Sequence, residues 1–203
     1  MRPGNPSSQV IDFYERNAHK FDQERGRHLF EKTWLNKFLE LIPAKGAILD
    51  LGCGTGEPIA EYLIGRGFQV TGVDSSSRMI NLCQRRFPNQ EWIMNDMRHV
   101  EFDRTFDGIL AWDSFFHLNH VDQHSMFSTF RACANSHASL MFTAGPEHGE
   151  AVNPLWDEPL FHASFSKEEY EVLLKESGFD VLAFALNDQE CGDHCIYLAR
   201  RVS

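Results

Sequence analysis

From residue 47 to residue 145 the chain alternates short apolar runs with longer amphipathic stretches. The runs "AILDL", "FQVTGVD", "EWIMND", "FDGILAWD" and "ASLMFTAG" are apolar on both alternating faces, so each predicts a strand covered on both sides. Between them, "EPIAEYLIGRG" predicts a helix with Pro58 in its first turn, where a missing N–H is harmless. "SSRMINLCQRRF" predicts a helix capped by serine and stopped before Pro88. "DQHSMFSTFRACAN" predicts a third, with Phe127, Phe130 and Ala134 inward.

Two helices precede this series. In "VIDFYERNAHKFDQ", Ile11, Tyr14, Ala18 and Phe21 share one face. Phe30, Trp34, Phe38 and Leu41 mark the second, closed by Pro43 and Gly46. Residues 1–8, rich in Pro, Gly and Ser, are expected to be loose, and residues 145–165 to be irregular. A capping-box helix opens at Ser166 with Glu169 and ends at Gly178. "FDVLAFALND" and "HCIYLARRV" then predict two strands joined by a short turn at 188–193, a connection only an antiparallel pair permits. The expectation is an α/β, Rossmann-like three-layer sandwich: a seven-stranded, mostly parallel sheet with an antiparallel last strand.

Bulk properties narrow the partners. A chain of 203 residues suits one domain with a full core. The net charge of −10 disfavours nucleic acid and anionic lipid, and the basic pairs Arg85-Arg86 and Arg200-Arg201 are too short to reverse it. Five scattered cysteines imply no disulfide framework. No signal-like segment and no apolar run near the roughly 18 residues needed to span a bilayer are visible. The expected setting is the cytoplasm, with no nucleic-acid or membrane partner and a monomeric or weakly dimeric state. The Cys191–Cys195 spacing beside His194 lacks a second ligand pair, so no metal is expected.

Gly52, Gly54 and Gly56 follow the first strand of the series, where open α/β sheets bind ligands. Glu57 occupies the third-glycine position of a dinucleotide fingerprint. No lysine occurs between Gly46 and Lys167, which removes a nucleoside triphosphate loop. Asp50, two residues before the first glycine, would repel a pyrophosphate and favour a cation; with Glu57, it argues against a nicotinamide oxidoreductase. Asp74, 22 residues after Gly52, suits two ribose hydroxyls. Asp96 suits an adenine amino group, with Met97 against the ring. Together these residues call for an adenosine with a cationic far end.

"ILDLGCGTG", "VTGVDSSSRMI", "NDM" and "FDGILAWDSFFHL", in this order, resemble the successive motifs of class I S-adenosylmethionine-dependent methyltransferases. The likeness runs by motif over residues 10–143 and beyond that by strand and helix order. It implies that Asp50 binds the methionine amino group and that Gly52, Cys53, Gly54 and Gly56 pass beneath the methionyl part. It further implies that Asp74 holds the ribose, Met79 packs beside the adenine and Asp96 accepts from it, with Ser75, Met97 and Trp112 completing the S-adenosylmethionine site. "YERNAHKFD" is similar to a segment that folds over the cofactor in small-molecule members, placing Tyr14 against it. The implied division is a helical cap at 1–45 and a core at 46–203 with a substrate-facing insertion at 145–165.

The reaction implied is methyl transfer to a small molecule by in-line displacement, leaving S-adenosylhomocysteine; the alternative is a non-catalytic protein that binds the same cofactor. His117 and Asp113, just past the fourth strand, are the catalytic candidates. Phe116, Trp156 and His162 are the substrate candidates, within a wall that also offers Glu147, His148, Asp157 and Phe161. Ala111-Trp112-Asp113-Ser114 stands where many nucleic-acid and protein amino methyltransferases carry Asn/Asp-Pro-Pro-Tyr, against a DNA amino methyltransferase.

Overall fold

The computed structural model describes residues 6–202. Two helices, α1 (Pro6–Glu24) and α2 (Lys32–Glu40), lead into an alternating series. The series is β1 (Ala47–Leu51), α3 (Ile59–Gly65), β2 (Gln69–Asp74), α4 (Ser77–Arg86), β3 (Glu91–Met94), β4 (Phe106–Ala111), α5 (His120–Cys133) and β5 (Ala134–Ala144). A hairpin, β6 (Gly149–Leu155) and β7 (Glu158–Ser164), precedes α6 (Lys167–Glu176), β8 (Phe179–Asp188) and β9 (His194–Arg201). Residues 1–5 of the stretch expected to be loose lie outside the described residues, but the rest of it is helical from Pro6.

The large sheet has the order β3-β2-β1-β4-β5-β9-β8. Its first five strands are parallel, and β9 runs antiparallel to both β5 and β8. The strand order reverses between β1 and β4, so the loops leaving their C-terminal ends part and open a crevice. Aromatic packing of Phe115, Phe127, Phe130, Phe142 and Tyr170 fills one face of the sheet, and Trp34, Phe38, Ile48, Leu63 and Trp92 fill the other. Each such buried side chain contributes about 1.5–3 kcal/mol from apolar area alone.

The segment 145–165 departs from expectation, because it is mostly a β-hairpin. Trp156 and Asp157 form its two-residue turn with φ of 54° and 65°, the positive pair a type I′ turn requires. Leu155 pairs with Glu158, and Pro154 faces Pro159 in the next pair. Pairs alternate between bonded and non-bonded, so the two prolines share a site where neither strand needs an N–H.

Helix α1 bridges this hairpin and α4. The Glu15 carboxylate accepts from the Ser76 and Ser77 hydroxyls at 2.6 and 2.9 Å. Arg16 and Asn17 donate to Glu158 on β7 at 2.7 and 3.2 Å. Phe13 and Val10 bury themselves against Leu160, giving the bridge an apolar base that exposed ion pairs alone would not supply.

Candidate active site

A cavity of about 460 Å³ lies at the C-terminal ends of β1, β2 and β4, walled by α1 and the hairpin. The glycine loop forms its floor. Gly52 has φ of +79°, and a Cβ there would stand 2.2 Å from the Ser114 Cβ, so only glycine fits. The loop amides are turned inward: Gly52 and Cys53 donate to the Val73 carbonyl at 2.8 and 3.0 Å, Gly54 to Asp74, and Gly56 to the Cys53 carbonyl. They form no nest for a phosphate. The Cys53 N–H is thereby used inside the fold.

Asp50 lies on β1 and is 4% exposed. Among the described residues, no donor or cation meets its carboxylate. Burial, and secondarily the charge of Asp74, raise its pKa to about 7. A buried carboxylate without a protein partner is costly, and its chemistry suits a cationic group of a ligand. Asp74 is also raised by burial, to about 6, but accepts from the Ser76 amide at 2.8 Å and the Gly54 amide at 2.9 Å. The Trp112 indole N–H, buried at the cavity edge, likewise lacks an acceptor among the described residues.

Asp96 is more constrained than the sequence suggests. It lines the cavity, yet its two oxygens accept four hydrogen bonds from Arg98, at 2.5–3.1 Å. Burial alone would raise its pKa, but Arg98 outweighs this and holds it below the usual carboxylate range. An open acceptor for an adenine amino group is therefore not what Asp96 presents. The backbone and side chains of Ser75, Met79 and Met97 remain in the lining beside it.

His117 and His162 stand with ring centroids 4.8 Å apart. The Nδ1 of His117 is 2.9 Å from the Phe161 carbonyl, and the Nδ1 of His162 is 3.0 Å from the Leu160 carbonyl. A carbonyl only accepts, so both rings carry their proton on Nδ1. Burial lowers the pKa of His117 to about 4 and depresses that of His162. The Nε2 of neutral His117 accepts from the Tyr14 hydroxyl at 3.1 Å. His117, one of the two catalytic candidates, thus combines a lowered pKa with an Nε2 lone pair that Tyr14 occupies.

Asp113 leaves β4 with φ of +50°, an uncommon conformation for a residue with a Cβ. Two contacts hold it. Its N–H donates to the Thr143 hydroxyl at 2.9 Å, and its carboxylate pairs with His194 Nε2 at 2.6 Å. His194 also donates from Nδ1 to the Cys191 carbonyl. Burial works against the charged ring, but Asp113 raises its pKa overall. His194 was missed by sequence reasoning because 81 residues separate it from Asp113.

All the anticipated cofactor residues line this cavity, together with Asp113, Phe116, His117 and His162. Trp156 does not. It stacks on Phe13 of α1 at 5.8 Å, under the Lys20 ammonium. His148 also lies outside, against Glu169. Val10, Ile11 and Phe21 of α1, and Asn153 and Leu155 of the hairpin, join the lining unanticipated. For the α1 residues the signal in the sequence is a helical apolar face longer than one packing partner needs, and the hairpin residues fall within the segment expected to face the substrate. No helix among the described residues is long and apolar enough to cross a membrane.

Comparison with known proteins agrees with this geometry. Residues 48–136 match a family described as a methyltransferase domain. The putative methyltransferase YqeM of Bacillus subtilis is 32% identical over 125 residues, covering 59% of this chain and 49% of the relative. The demethylmenaquinone methyltransferase of Thermotoga maritima is 32% identical over 115 residues, covering 52% and 49%. The chain thus spans about half the length of these relatives. In fold it matches the Burkholderia thailandensis 1,6-didemethyltoxoflavin-N1-methyltransferase with a TM-score of 0.73 at 16% identity, covering 97% of this chain and 87% of that one. The chain thus shares its fold with that solved methyltransferase and, over residues 48–136, the sequence pattern of a methyltransferase domain.

Proposed function

We propose that this protein is an enzyme that uses S-adenosylmethionine to methylate a small-molecule acceptor by direct in-line displacement. The observation that carries the reading is Asp50: a buried carboxylate with no partner among the described residues, on the floor of a cavity whose Gly52, Cys53, Gly54 and Gly56 amides already donate within the protein. It suits the ammonium of a methionyl group and rejects a pyrophosphate. Asp74, whose oxygens keep lone pairs beyond the two amides they accept from, suits the ribose hydroxyls. Ser75, Met79 and Met97 would flank the adenine, and Tyr14 would cover the site from α1. In this reading residues 1–45 act as a cap on the core at 46–203, and the hairpin forms the substrate wall.

When bound, the cofactor supplies an electrophilic methyl group on a sulfonium. The protein's part is to hold an acceptor atom in line and to exclude water, and such positioning supplies up to about 7–11 kcal/mol. Phe116, His162 and the apolar side chains of α1 and the hairpin enclose the space left for that acceptor. The relatives named above act, by their names, on a demethylmenaquinone and a didemethyltoxoflavin, both small molecules, which supports the same acceptor class here.

Thermal unfolding tests the cofactor assignment. S-adenosylhomocysteine at about 100 times its Kd adds about 2.7 kcal/mol and raises Tm by several degrees. A rise with NAD and none with S-adenosylhomocysteine refutes the proposal.

A further inference from the structure

The two imidazoles in the cavity are built alike and finished differently. Successive carbonyls of β7, those of Leu160 and Phe161, fix His162 and His117 as Nδ1–H tautomers. Each ring therefore has one lone pair, on Nε2. The Tyr14 hydroxyl takes that of His117, while that of His162 has no partner among the described residues. His162 lines the cavity and its ring lies against Phe116 at 5.2 Å and 28°.

The charges around it limit what can enter. Asp50, Glu57, Asp74, Asp96 and Asp113 line the cavity, and no lysine does. Its two arginines are already matched, Arg25 by Glu31 and Arg98 by Asp96 and Asp122. His194 is matched by Asp113, so among the described residues no unmatched cation lines the cavity to meet a carboxylate or phosphate on the acceptor.

We infer that His162 Nε2 is the proton acceptor of the reaction, and that the methyl acceptor is an uncharged molecule presenting a phenol-type hydroxyl to it. This inference rests on the methyl-transfer reading above. The acceptor O–H bond breaks toward Nε2 and leaves its electron pair on oxygen. That oxygen bonds the methyl carbon as the carbon–sulfur bond breaks, with its pair passing to sulfur. One positive charge thus moves from sulfonium to imidazolium, where the nearby Asp113 favours it. An imidazole, ordinarily near pKa 6.5, matches a phenol, at about pKa 10, far better than an aliphatic alcohol. His117 is left as a positioning residue that holds Tyr14.

Histidine-selective NMR of the protein saturated with S-adenosylhomocysteine, titrated with 4-nitrophenol, tests this. Binding is expected to shift His162 Nε2 toward a hydrogen-bonded position and to red-shift the probe's absorbance, with His117 Nε2 unmoved. His162→Gln is expected to keep its S-adenosylhomocysteine affinity and to weaken the probe by about tenfold or more, and 4-nitrobenzoate to bind wild type about tenfold more weakly than the phenol. No probe binding, a shift at His117 instead, a variant that binds the phenol as wild type does, or a preferred carboxylate overturns the inference. Failure to bind S-adenosylhomocysteine overturns the underlying cofactor reading instead.

Discussion

The Tyr14 hydroxyl donates to His117 Nε2 across 3.1 Å, joining α1 to the segment that follows β4 over the mouth of the cavity. Tyr14→Phe removes the hydroxyl that donates to His117 Nε2. The expected cost is about 1 kcal/mol of stability, read from thermal melts, together with weaker S-adenosylhomocysteine binding. Because the lost O–H favoured the neutral ring, the His117 titration midpoint, about 4 in the intact protein, is expected to move upward by NMR.

Asp50→Asn should separate stability from binding. The folded-state pKa of Asp50 is raised, to about 7, so the charged form penalises the fold. That penalty is absent below the unfolded value of about 4, grows as pH rises toward 7 and is constant above it. At pH 8 the variant is expected to be more stable than wild type by up to about 4 kcal/mol, and near pH 4 the difference should vanish. Cofactor binding should be weakened at pH 8. Denaturant melts at the two pH values check the sign.

Gly52→Ala places a methyl group 2.2 Å from the Ser114 Cβ and demands a positive φ from alanine. A loss of about 3 kcal/mol or more is expected, with the cavity floor displaced. Urea melts measure the first, and ligand titration the second.

Trp156→Ala removes a stacked ring on Phe13, not a wall of the cavity. It should cost about 1–2 kcal/mol of stability and leave the affinity for S-adenosylhomocysteine unchanged at temperatures where the variant is folded.

The sheet was legible because its strands are buried on both faces and punctuated by capped helices such as the one after Ser76. The glycine loop was legible through its neighbours, Asp50 and Glu57. The hairpin was not, for physical reasons. Pro154 and Pro159 look like strand breakers until they face each other at a pair that needs no N–H, and Trp156 and Asp157 carry none of the usual signals for a positive-φ turn. Trp156 was assigned to the cavity from its size and chain position alone, and only the tertiary fold shows the turn carrying it onto Phe13 of α1. The Arg98 clamp on Asp96 and the His194 pairing of Asp113 escaped for different reasons: the first is a rotamer choice two residues away, the second a contact made by the last strand.

The central claim is that Asp50 receives the ammonium end of the cofactor, and calorimetric titration with S-adenosylhomocysteine at pH 6 and pH 8 tests it most directly. Ligand binding draws a proton off Asp50 at the lower pH, so affinity should rise by about tenfold from pH 6 to pH 8, with proton release at pH 6. Asp50→Asn should bind weakly, with no such rise. Equal binding by wild type and Asp50→Asn, or binding of NAD in place of S-adenosylhomocysteine, would contradict the account.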